Sequence, residues 1–134
     1  MRRSLTPLLL LPLAAAGCGQ SANTADVRAV TSRFYAAVAQ HDGALACRQL
    51  AEPTLEQLEQ DEKAACPKAI GGLGLAPARI AHVAVYVTNA KVDLTNGASA
   101  FLEQTATGWR ISALGCRPTG GDPTEQPLGC AVKS

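Results

Sequence analysis

The apolar positions change period twice along the chain. Between residues 5 and 16 they run almost unbroken, with Leu8 to Leu11 at the centre and Pro7 and Pro12 interrupting. From Asp26 to about Leu73 they recur at spacings of three and four: Val27, Val30, Phe34 and Val38, with Tyr35 beside them, share one face of a helix that Thr24 is placed to cap. Asp42-Gly43 ends that helix. Ala44 to Ala51 reads as a second helix carrying Leu45, Cys47 and Leu50, and Pro53 opens a third that runs to Cys66, where Pro67 breaks it. Three helices are therefore predicted, and Gly71-Gly72-Leu73-Gly74 reads as the hinge that follows them.

From Arg79 the period falls to two. Ile80, His82, Ala84 and Tyr86 alternate with Ala81, Val83, Val85 and Val87, which predicts a strand; Ala90, Val92 and Leu94 alternate with Lys91, Asp93 and Thr95 in a second. Asn96-Gly97 is the strongest turn signal in the chain. A two-residue loop there sets Thr95 against Ala98 and Val92 against Phe101. Thr107-Gly108 turns into a last strand through Trp109, Ile111 and Ala113 to Cys116. Helices followed by an antiparallel meander make the fold class α+β.

Composition changes the picture once the first segment is set aside. The 134 residues carry a net charge of +1, but without Arg2 and Arg3 the remainder has 10 Lys+Arg against 11 Asp+Glu. A near-neutral chain of this kind is not built to bind nucleic acid. From Cys18 onward Leu, Ile, Val and Phe total only 23 residues while Ala contributes 22, so the core is small and gains from covalent staples.

Met1-Arg2-Arg3, the apolar run and Leu13-Ala14-Ala15-Ala16-Gly17-Cys18 resemble a bacterial lipoprotein signal, with Ala15 where Leu is commonest. The resemblance implies a signal peptide over 1–17, a diacylglycerol thioether on Cys18, a short polar tether over 18–25 and one domain over 26–134. The chain would then be anchored to the cell membrane on its extracytoplasmic face. The other reading of the same residues is an ordinary secretory signal with Cys18 incidental. In either case four cysteines remain in an exported chain: Cys47, Cys66, Cys116 and Cys130. Three pairings are open to them. Cys47 with Cys66 and Cys116 with Cys130 is favoured, because each pair lies in a short segment flanked by turn-forming residues, and the second closes the Pro- and Gly-rich loop 116–130. With no CxxC and no histidine pair, neither a metal nor a cofactor is expected.

Phe34-Tyr35 on the leading helix, the break at His41-Asp42-Gly43, the helix Ala44-Leu45-Ala46-Cys47 and the late strand Gly108-Trp109-Arg110-Ile111 together resemble the nuclear transport factor 2-like superfamily, over about residues 26–116. More narrowly they are similar to small lipoproteins of high-GC Gram-positive bacteria. The resemblance implies N-terminal helices packed on a curved, cone-like meander. Its members include enzymes and binding modules, so the fold alone names no activity. A binding or interaction module is the leading expectation, for a small molecule or an envelope protein. An isomerase or dehydratase using His82 or Asp93 as general base is the alternative. His41 reads as a cation at a helix C-terminus, Tyr35 as core or pocket base, and Trp109 as packing under the disulfide loop. The run Glu52, Glu56, Glu59, Asp61 and Glu62 reads as a solvated helix face.

Overall fold

The computed structural model describes residues 18–118 and 128–134. Residues 1–17, which the sequence leads one to expect as a signal peptide, and residues 119–127 of the disulfide loop lie outside the described residues. Four helices come first: α1 (Cys18–Ala39), α2 (Gly43–Cys47), α3 (Glu52–Glu62) and α4 (Cys66–Gly72). The strands β1 (Ile80–Tyr86), β2 (Asn89–Leu94), β3 (Ser99–Thr105) and β4 (Gly108–Pro118) then form an antiparallel meander, and two-residue strands β5 (Leu128–Gly129) and β6 (Val132–Lys133) fold back onto β4. The class is α+β, with an open sheet.

α1 buries the stripe that its spacing announced. Val27 and Phe34 are fully enclosed and Val30 nearly so, meeting Val92, Leu102, Ile111 and Leu114 of the sheet in one core with Leu58 of α3. The helix starts earlier than expected: it begins at Cys18, so residues 18–25 are already helical and Thr24 does not cap it. The Thr24 hydroxyl instead donates to the Gln20 carbonyl one turn back.

Two further boundaries differ. α2 stops at Cys47 because residues 49–51 leave the helix to bridge β4: Ile111 donates to the Gln49 carbonyl and Ala51 to the Ile111 carbonyl, both at 2.8 Å. Pro67 starts a helix instead of ending one. α3 closes at Lys63 in the left-handed conformation, and the chain re-enters helix at Cys66 with Pro67 in the first turn, where its missing N–H costs nothing. Glu59 leaves the acidic face to accept the Cys66 N–H at 2.8 Å, standing in for a side-chain cap. Gly71 and Gly72 accordingly belong to α4, not to a hinge.

The sheet departs from simple alternation at two places. A bulge between Ile80 and His82 turns Ile80 inward, so it packs with Val83 and Val85 against the core rather than sharing a face with His82. At Asn96-Gly97 the loop has three residues. Gly97, at φ +82°, completes a turn in which Asn96 Oδ1 accepts the Ala98 N–H, and Leu94 donates to the Ala98 carbonyl. The register slips by one from the two-residue expectation: Val92 opposes Ala100, and Phe101 opposes Lys91 on the outer face. Asn-Gly fits both loop lengths, and burial decided between them, because Val92, Ala100 and Leu102 all face the core in the observed register.

The disulfides are Cys47–Cys66, which ties α2 to α4, and Cys116–Cys130, which ties the end of β4 to the C-terminal segment. The first stands beside a close backbone approach. A Cβ on Gly43 would lie 2.5 Å from the Pro67 carbonyl oxygen and 2.8 Å from its Cα. Gly43→Ala is therefore expected to destabilise the fold by about 1–3 kcal/mol, read as a lower urea midpoint. The β1–β2 turn holds the opposite kind of residue. Val87 has φ +53° and is 86% exposed, a conformation costly for a β-branched side chain and repaid by no packing. Val87→Asn should raise stability by about 1 kcal/mol in the same titration.

Candidate functional site

A cleft lies between the C-terminal half of α1, α4 and the segment leading into β1. Its volume is about 910 Å³, within the range of small-molecule sites. Val38, Ile70, Leu75 and Ile80 give it an apolar wall, and no acidic side chain lines it among the described residues. Each contributor has a local reason to be there. Val38 and Tyr35 extend the buried stripe of α1 beyond the point where the sheet covers it, and the left-handed turn at His41 swings the chain away to leave the helix flank open. Gly74 and Pro77 carry residues 74–80 past α1 without filling the gap with a helix.

Five polar side chains line this cleft, among them Ser32 and Thr31, whose hydroxyl donates to the Val27 carbonyl at 2.9 Å. His41 and Arg79 line it and are exposed. Tyr35 lines it while only 8% exposed, with its ring edge-on to Phe34 at 5.2 Å and no hydrogen bond to its hydroxyl among the described residues. Burial pushes the phenol up to about 12, against a smaller opposing pull from the Arg117 guanidinium. Because the folded value is raised, the stabilisation is complete below the ordinary value of 10.0 and is lost as pH rises through about 12. Urea midpoints should therefore decline across that interval, by at most about 2 kcal/mol, and Tyr35→Phe should flatten the decline.

His82 and Asp93 meet, but elsewhere. They are register partners on the outer face of the sheet, with Nδ1 and Oδ2 3.9 Å apart and side chains 68% and 42% exposed. Asp93 is occupied by the Lys91 ammonium at 3.0 Å and the Ser99 hydroxyl at 2.8 Å, which hold its carboxyl below the usual carboxylate value. The pair lies outside the cleft, with no enclosing wall to exclude water or orient a substrate.

The expected packing of Trp109 under the disulfide loop falls on residues 119–127, outside the described residues. Trp109 itself starts β4 at the other end of the strand, is buried, and its Nε1 donates to Asn23 Oδ1 at 3.4 Å on α1. No group of His, Cys, Asp and Glu converges as a metal site among the described residues. Nor is any helix there long and apolar enough to cross a membrane. The cleft itself escaped sequence reasoning. Its wall comes from three segments that share no motif, and the one sequence signal is Tyr35, set beside the α1 stripe and read there as core or pocket base.

No protein family, curated protein or solved structure matches this chain.

Proposed function

We propose that this chain is a lipid-anchored binding domain of the cell envelope. Residues 1–17 serve as the signal, Cys18 carries the lipid, and the domain faces outward from the membrane. The observation that carries the binding role is the cleft of about 910 Å³ with its apolar wall and buried tyrosine. Such a site takes a small, largely apolar molecule, with the Tyr35 hydroxyl as an inner hydrogen-bonding group and Arg79 and His41 as polar groups nearby. The long first helix seated on a bulged meander supports a nuclear transport factor 2-like reading of the fold. Catalysis through His82 or Asp93 has no place in this function, because both sit on the open face of the sheet.

The neutral fluorophore N-phenylnaphthylamine tests the binding role. Its emission should rise saturably on titration with the protein, with one site per chain. Ala36→Trp, at an exposed helical position that lines the cleft, should weaken binding about tenfold or more. Absence of saturable binding, or equal binding by the variant, would refute the role. The anchor is tested by palmitate labelling in a bacterial host, which Cys18→Ser should abolish.

A further inference from the structure

The end of the domain where α1 begins carries no charged side chain in any of the three segments that build it. Residues 18–25 open α1, 86–89 form the β1–β2 turn, and 104–109 form the β3–β4 turn with its flanks; none contains Asp, Glu, Lys, Arg or His. These segments are adjacent in space. Trp109 donates to Asn23, Gln104 donates to the Thr88 carbonyl at 2.8 Å, and Val85 and Val87 share a shallow depression with Gln20 and Asn23. On this end stand Tyr86 and Val87, the two large hydrophobic residues that are exposed among the described residues, at 62% and 86%. Val87 is held there in a left-handed conformation that a valine adopts only at a cost, which marks the turn as a place where folding in water alone did not choose the residue. The nearest cation, Arg110, folds back toward this end, its Nη1 donating to the Trp109 carbonyl at 2.8 Å.

We propose that the β1–β2 turn is a second membrane contact, in which Tyr86 and Val87 enter the interface of the bilayer that holds the lipid of Cys18. The inference rests on the anchor reading and adds an orientation to it. An uncharged surface avoids the desolvation that charged groups suffer at the headgroup boundary, and a tyrosine with an apolar neighbour suits that depth. Arg110 is positioned for lipid phosphate. α1 is about 33 Å long at 1.5 Å per residue, so the cleft beside its C-terminal half is carried away from the membrane toward the surroundings.

The test uses the full lipidated chain in vesicles of phosphatidylcholine and phosphatidylglycerol, with brominated lipid as quencher. Val87→Trp is compared with Lys68→Trp, an exposed position on α4 beside the far end of α1, each relative to the unsubstituted chain. Emission from Val87→Trp should fall about twofold or more while that from Lys68→Trp stays unchanged. Val87→Asn, which relieves the backbone and keeps the fold, should leave the lipidated chain attached but increase proteolytic access to the turn in vesicles. A lipidated chain whose Val87→Trp emission is not quenched, or is quenched no more than Lys68→Trp, overturns the membrane contact and leaves the anchor standing. Lack of lipid on Cys18, read from the mass of the N-terminal peptide, overturns both.

Discussion

Phe34→Ala is expected to lower unfolding stability by about 3–5 kcal/mol in a urea titration, the largest loss for any single substitution considered. The ring is fully buried in the C-terminal half of α1, edge-on to Tyr35, and belongs to the same core as Val92, Leu102 and Ile111 of the sheet. Of the described residues, eight of the 25 buried hydrophobic residues of the core are alanines, Ala37, Ala46, Ala90 and Ala100 among them. Alanines have no rotamers with which to close a void, so the cavity should stay open and the loss should reach the upper part of the range. A domain of this size has roughly 5–15 kcal/mol in total, and the variant should be partly unfolded at modest temperature. A loss under about 1 kcal/mol would mean that the core is not organised around Phe34.

The second large effect concerns the disulfide between α2 and α4. Converting Cys47 and Cys66 together to alanine should cost about 3 kcal/mol from loop-closure entropy, for a separation of 19 residues, and somewhat more because both sulfurs are buried. α2 and α4 are short helices of 5 and 7 residues, below the length at which a helix holds in water by itself. Their order depends on the staple and on the Gly43–Pro67 approach. Because α4 is also one wall of the cleft, the double variant should weaken fluorophore binding even under conditions where the fold persists. Full stability in the double variant, with binding unchanged, would show that the staple is redundant.

The elements that were legible in the sequence are those in which one physical signal acted alone. The α1 stripe follows directly from Val27, Val30 and Phe34 at helical spacing, and the meander from a clean change of period at Arg79. Sequence reasoning failed where two signals competed. Pro67 is equally compatible with ending a helix and with opening one, and only the left-handed turn at Lys63 settled the choice. Asn96-Gly97 specifies a tight turn without specifying its length, and core burial chose three residues over two. Strict alternation placed Ile80 beside His82, whereas a bulge separates them. His82 and Asp93 were singled out as chemical residue types, and the structure does bring them together, but on a face that alternation could mark only as the other side of the strand. The cleft was illegible for a different reason. A cavity is the space that packing leaves, and here the residues bounding it are mostly small and apolar, with nothing in their spacing to distinguish them from core.

The binding role proposed for this chain puts its ligand in the cleft between α1, α4 and the segment before β1. Backbone amide shifts of isotopically labelled protein, titrated with N-phenylnaphthylamine, test it most directly. Shifts should concentrate in residues 31–43, 67–71 and 74–80, with the outer face around His82, Asp93 and Phe101 undisturbed. Shifts centred on His82 and Asp93, with the cleft silent, would contradict it.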